Sequence, residues 1–323
     1  MRIAILGSTS QIARDLIRQF ANSNDYELVL FARQPEIVVT WLKTVGIAKG
    51  LVVSGYADFT TAQRFDAVIN FVGIGNPARV AAMGASIFDV TLRYDELGMV
   101  YVREHPFCRY IFLSSGAVYG SKFDEPVAEN TMASFPINNV QPQDWYGLAK
   151  MYAEARHRAL SHLPIVDLRV FNYFSYSTDI EARFLITDVL RAIRDQQVMQ
   201  TSHQNIVRDY VGPKEIADLI QKVLRAPPSN VAIDCFTLNP VDKISMLERM
   251  RSEFGLKYEL VTTQTGVLAT GSKIHYYSKS RKANELFGYK PETTAIEIVV
   301  QQSRQMLTVS DQYNSITATL SNL

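Results

Sequence analysis

The 323 residues predict an α/β fold, a doubly wound parallel sheet joined to a smaller, mixed α/β C-terminal part. Apolar runs alternate with stretches of helical spacing over the first 115 or so residues, as in a parallel sheet covered on both faces. The runs are continuous rather than alternating (Ile3-Ala4-Ile5-Leu6 is the first), which suits strands with no wet face. Beyond residue 172 short strands and helices mix. The expected division is therefore 1–172 and 173–323, with segments interleaved.

A hydrophobic fraction of 47% and a charged fraction of 20% exclude a disordered chain. A net charge of +1 gives no field for nucleic acid or an anionic membrane surface. No apolar stretch approaches a membrane span, and the first apolar run is too short for a signal peptide. Cys108 and Cys235 stand far apart in no paired motif, so neither a disulfide framework nor a cysteine–zinc site is expected, and a reducing cytoplasm fits. The histidines His105, His157, His162, His203 and His275 have no metal-ligand spacing. No metal is expected, and these histidines are assigned surface roles or roles irrelevant to a cofactor.

Taken in order, the first strand ends at Gly7. The small-residue turn Gly7-Ser8-Thr9-Ser10 leads into a helix with Ile12, Ala13, Leu16, Ile17 and Phe20 on one face. Such a turn points free backbone N–H groups and a positive helix end at one spot, which suits a pyrophosphate. Ser10 and Ala13 stand where further glycines would complete the dinucleotide fingerprint, and both are small enough for close approach. The second strand, 27–33, ends in Ala32-Arg33 without the carboxylate that usually holds the ribose hydroxyls of NAD. Arg33 can pair with a 2′-phosphate, which leans toward NADP over NAD. Strands follow near 51–53, 66–73 and 109–115, the last ending in two hydroxyls, with a helix over 86–104 between.

The helix opening near Pro142, with Asp144 as the expected N-cap, carries Tyr146 and Lys150 four residues apart, on one face. An ammonium beside a phenol favours the phenolate and would lower the tyrosine pKa toward working pH. With 16 tyrosines in the chain the spacing alone is weak. A sixth strand lies within 163–172, helices near 181–196, 213–226, 244–254 and 292–307, a strand near 232–237, and a loosely held end over the last dozen residues.

The ordered set Gly7-x-x-Ser10-x-x-Ala13, Leu113-Ser114-Ser115-Gly116-Ala117-Val118-Tyr119-Gly120 and Tyr146-x-x-x-Lys150 resembles the extended short-chain dehydrogenase/reductases. Within them the nucleotide-sugar epimerase/dehydratase/reductase group is most similar. Leu168-Arg169-Val170-Phe171-Asn172, Val207-Arg208-Asp209-Tyr210-Val211 and the segment from Ser278 to Pro291 extend the likeness over nearly the whole chain. The resemblance implies a Rossmann-type fold with Tyr146 as acid/base, Lys150 on the nicotinamide ribose and Ser115 on the reacting oxygen. It implies cofactor contacts from Gly7, Thr9, Ser10, Gln11, Ile12, Asp58, Phe59, Val72, Gly73 and Ile74. Asn172 and Arg208 match substrate-side positions, with Arg208 near the nucleotide-sugar diphosphate.

Gly116-Ala117 stands where dehydratases of the group carry an acid/base carboxylate pair, so dehydration is disfavoured. The first expectation is an NAD(P)-dependent reductase of a nucleotide-linked keto-sugar. The alternatives are a nucleotide-sugar epimerase with tightly bound NAD, or a non-catalytic cofactor sensor. A homodimer through the helices at 86–104 and 144–161 follows from the same resemblance.

Overall fold

The computed structural model describes residues 1–47, 50–73, 77–262 and 273–320, with backbone alone at 77–79 and 309–320. Six strands form in succession, β1 (Arg2–Leu6), β2 (Glu27–Ala32), β3 (Val52–Gly55), β4 (Ala67–Asn70), β5 (Arg109–Ser115) and β6 (Ile165–Val170). Helices α1 (Gln11–Phe20), α2 (Pro35–Thr44), α3 (Pro77–Met83), α4 (Ser86–Glu104) and α5 (Trp145–Ala159) connect them. The short strands β7 (Asn172–Tyr173), β8 (Val198–Ser202), β9 (Val207–Arg208) and β10 (Tyr210–Val211) precede β11 (Val231–Asp234), which returns to the sheet beside β6. The seven-stranded sheet has the order β11-β6-β5-β4-β1-β2-β3 and every pair in it is parallel.

Burial explains the continuous runs. Ile3, Ala4, Ile5 and Leu6 are all fully buried. Alternate residues feed one core beneath α1 and α2 and another beneath α4 and α5. The strand order reverses between β1 and β4, and ligands of open α/β sheets bind at that crevice.

The remaining elements are α6 (Leu185–Arg194), α7 (Pro213–Arg225), β12 (Val241–Asp242), α8 (Lys243–Phe254), β13 (Lys257–Val261), β14 (His275–Tyr276), α9 (Lys282–Phe287) and α10 (Ala295–Leu320). Helices α6, α8 and α10 share a separate core around Val189, Leu190, Leu247 and Val299. The small sheet β12-β9-β14 lies in this half and holds Arg208 and Tyr276 side by side in register.

Several sequence expectations need correction. Helix α2 was not anticipated; Pro35 in its first turn supplies the start signal. Asp144 does not cap α5 with its side chain. It closes a 3-10 turn, Pro142–Asp144, and its carboxylate accepts the Gln141 N–H at 3.0 Å. The backbone of α10 remains helical to Leu320, past the expected end at 307.

Candidate active site

The cofactor turn is shaped by one glycine. Gly7 has φ +81°, and a Cβ there would lie 2.8 Å from the Val72 backbone nitrogen, so β1 and β4 meet at their carboxyl ends with no room for a side chain. The Gly7 and Ser8 N–H groups donate to Phe31 O, Ser8 Oγ donates to Ile5 O, and Ser10 lies extended ahead of α1. Thr9 is exposed at the tip, while Ser10 and Ile12 are half-buried. The bare, positively ended turn fits a dinucleotide pyrophosphate. Gln11 turns away from it, donating to Ser175 Oγ at 2.9 Å and Thr178 Oγ1 at 2.6 Å. Ser175 and Ser177 in turn donate to buried Asp15 of α1. Gln11 thus ties the turn to the second half of the chain.

Along the adenosine side, Arg33 is exposed and close enough to Tyr56 to act on its phenol electrostatically. Burial nevertheless holds the Tyr56 hydroxyl well up, and that hydroxyl bonds the Gly7 backbone. Asp58 is exposed, but Phe59 is turned into the core, its ring 5.2 Å from both Phe31 and Tyr101. The Phe59 ring therefore offers no stacking face. Val72 and Gly73 line the crevice, with the Val72 N–H held by Asn70 Oδ1 at 2.9 Å. Ile74 lies outside the described residues.

Ser115, Tyr146 and Lys150 converge at the carboxyl end of β5. Ser115 Oγ accepts the Ala117 N–H at 3.2 Å, which leaves its own proton to donate. The Tyr146 phenol interacts with that hydroxyl. Glycine at 147 lets α5 approach the turn after β5, since a Cβ there would lie 2.4 Å from Ala117 O. Lys150 is 2% exposed; its Nζ donates to Leu113 O at 2.8 Å and lies 4.3 Å above the Phe112 ring. A Cβ on Gly73 would come within 3.3 Å of that Nζ, so the ammonium faces the crevice beside β4, where a ribose hydroxyl can reach it.

The expected lowering of the Tyr146 pKa is not present in this state. Burial raises the phenol, and the Ser115 hydrogen bond only partly opposes it. Lys150 is directed at a carbonyl and at the crevice, so its charge does not control the tyrosine. Burial instead brings Lys150 itself down to about 8, against the pull of Asp95, Asp167 and Glu154. An ammonium that must stay charged to hold a ribose will release its ligand as pH rises through that value. Cofactor affinity is accordingly expected to fall above pH about 8, with Lys150→Arg abolishing the fall. Fluorescence titration of NAD(H) from pH 6.5 to 9.5 checks this; a flat profile for the native protein contradicts it.

Behind the triad lies a relay of buried polar groups. Arg169 of β6 pairs with Glu154 of α5 at 2.5 Å and donates to Tyr119 at 2.6 Å. Ser114 donates to Glu154 at 2.5 Å, while Tyr119 and Ser278 donate to Asp234. A second buried group is centred on His157, which is fully buried between Asp95 and Asp167 at 2.8 and 2.7 Å. Of the two roles expected for the histidines, at the surface or irrelevant to a cofactor, burial excludes the first at His157.

On the substrate side, Asn172 donates to the carbonyls of Asp209 and Tyr276, fastening β7 to both neighbours. Arg208 is buried, donates to Val207 O, and sits 5.9 Å from the Tyr276 ring. Asp209 faces elsewhere and accepts from the Thr237 N–H and hydroxyl, so the two make no local ion pair. Two residues of the site escaped sequence reasoning. Tyr276 brings its hydroxyl to 3.5 Å from Ser115 Oγ, and Lys273 lies 4.4 Å from the Tyr276 ring. No motif marks either; the β9–β14 pairing and backbone bonds to Phe123 and Val127 bring Tyr276 to Ser115 across 161 residues.

The crevice at the point where the strand order reverses and the glycine turn beside it are the binding features of a dinucleotide fold. The chain belongs to the NAD dependent epimerase/dehydratase family, whose profile matches residues 3–234, within the extended short-chain dehydrogenase/reductases. The UDP-glucose 4-epimerase of Streptococcus mutans is 23% identical, over 93% of this chain and 95% of its own. Among solved structures, a Stenotrophomonas maltophila UDP-glucose-4-epimerase with bound NAD and formylated UDP-arabinopyranose superposes with TM-score 0.77 at 16% identity, covering 97% and 99% of the chains. A mutant Bacillus cereus UDP-glucuronic acid 4-epimerase in complex with UDP-4-deoxy-4-fluoro-glucuronic acid and NAD gives 0.75 at 12%, covering 96% and 100%. At these identities the structures establish the shared fold.

Proposed function

We propose that the protein is a nucleotide-sugar epimerase that oxidises and re-reduces one ring carbon of its substrate. The convergence of Ser115, Tyr146 and Lys150 on one crevice carries the reading. Bound nicotinamide supplies the hydride acceptor and donor that no side chain provides. Tyr146 takes the proton from the substrate hydroxyl at its phenol oxygen and returns it when the carbonyl is reduced. Ser115 donates to the same oxygen and steadies the negative charge that develops there. Lys150 orients the ribose. Dehydration has no support at position 116, where even a Cβ would strike the Phe171 ring at 2.4 Å, so no carboxylate fits next to Ser115.

The kinship with a UDP-glucose 4-epimerase supports the epimerase reading beside the net reduction expected from the sequence. Arg33 favours the second reading, an NADPH-dependent reductase of a keto-sugar nucleotide. Releasing and identifying the cofactor of the purified protein separates them. Stoichiometric NAD, with interconversion of UDP-sugar epimers and no added cofactor, supports the epimerase. An empty protein that consumes NADPH with a keto-sugar nucleotide supports the reductase. Binding without any turnover leaves a sensor and sinks both.

Arg33→Ala is expected to weaken NADPH binding about ten-fold or more, the worth of one charge-assisted hydrogen bond, and to leave NADH within about two-fold. Parallel titrations of the two cofactors measure this; equal effects on both would remove Arg33 from the 2′-position.

A further inference from the structure

Lys273 is an ammonium held inside the site without an ion-pair partner among the described residues. Its Nζ stands 4.8 Å from the Phe123 ring and 4.4 Å from the Tyr276 ring. Among the described residues no carboxylate comes within ion-pair distance of it. The acidic side chain that reaches it electrostatically is Asp144, itself engaged with the Gln141 N–H. Arg208 flanks the same tyrosine at 5.9 Å, so two cations share one ring whose hydroxyl lies 3.5 Å from Ser115 Oγ. Burial and the nearby Arg208 bring Lys273 down to about 8, as expected where like charges meet and solvent is scarce. Aromatic faces compensate an ammonium only in part. An arriving anion relieves both the repulsion and the desolvation.

The two cations do not occupy equivalent places. Arg208 is anchored on β9 by its own strand's carbonyl. Lys273 lies over Phe123 and over Tyr276, whose hydroxyl is 3.5 Å from Ser115 Oγ, and Asp144, two residues ahead of Tyr146, acts on it electrostatically.

Building on the nucleotide-sugar reading, we propose that Lys273 recognises a carboxylate on the glycosyl unit, so that the substrate is a nucleotide-linked acidic sugar of the uronic type. Arg208 is left to the diphosphate. Lysine suits this task because a compact point charge on a flexible stem can follow a carboxylate on a turning sugar.

The test uses the full-length protein loaded with NAD, titrated calorimetrically with UDP, UDP-glucose and UDP-glucuronate. The native protein is expected to bind UDP-glucuronate roughly ten- to a hundred-fold more tightly than UDP-glucose, the range of one charged hydrogen bond. Lys273→Met keeps the apolar stem against Phe123 and Tyr276 and should erase that preference while leaving UDP affinity within about two-fold. Lys273→Arg should restore much of the preference, which a loss due to misfolding would not allow. Equal affinity of the native protein for the two sugars overturns the proposal. So does a Lys273→Met variant that weakens UDP as much as UDP-glucuronate, because the ammonium would then serve the diphosphate. If the native protein binds no UDP at all, the nucleotide-sugar reading itself fails and takes this proposal with it.

Discussion

Tyr146→Phe is expected to lower turnover by roughly 10²- to 10⁴-fold, the usual contribution of a positioned acid/base. The phenyl ring preserves the packing of α5 against the turn after β5, so cofactor affinity and melting temperature should change little. The proton at the substrate oxygen would have no acceptor, because Ser115 Oγ is a hydrogen-bond donor with a pKa far from neutrality and Lys150 is directed elsewhere. Steady-state rates with UDP-sugars, alongside cofactor titration, measure both effects. Undiminished turnover would remove Tyr146 from the chemistry. Burial holds the Tyr146 phenol above its ordinary value, and the Ser115 hydrogen bond opposes it.

The second large effect concerns stability. His157→Ala is expected to destabilise the fold by about 3–5 kcal/mol, the penalty for removing one partner from a buried charged group. Without the imidazolium, the carboxylates of Asp95 and Asp167 would face each other across a cavity, balanced by Arg156, Arg158, the Tyr110 hydroxyl and, at longer range, Lys150. Burial opposes the charge on His157, but the two aspartates outweigh it and raise the imidazole to about 9. A pKa raised on folding adds stability that is complete below the unfolded value of about 6.5 and is lost as pH climbs through about 9. Urea melts of the native protein should therefore weaken from pH 6.5 to 9, and those of His157→Ala should lack that decline. A loss below about 1 kcal/mol, or the same slope in both proteins, would show that the group carries little charge-pair energy.

The network matters to function by its position. Tyr110 donates to Asp95 and receives from Asn70, whose carbonyl oxygen holds the Val72 N–H at the edge of the crevice. The charged group beneath α4 and α5 therefore braces the strand end on which a cofactor would lie.

The local pattern of residues determined much of this protein. Continuous apolar runs specify strands buried on both faces, because polar residues there would be left without water. The glycine at position 7 suits a turn residue with φ +81°, and Tyr146 and Lys150 share a face because a helix repeats every 3.6 residues. Each of these properties is complete within a few neighbouring residues. Tertiary structure decided what depends on distant partners. Phe59 leaves the crevice because Phe31, Phe65 and Tyr101 offer its ring a core. His157 is charged because two aspartates from other elements meet it. Lys150 leaves the tyrosine's pKa alone because Leu113 O and the crevice claim its ammonium, although i, i+4 spacing placed the two as neighbours. Tyr276 and Lys273 enter the site through a two-residue strand pairing with no sequence signature. Burial and long-range electrostatics arise from what surrounds a side chain in space, so the chain order alone could set Tyr146 and Lys150 on one helix face but not their charge states or companions.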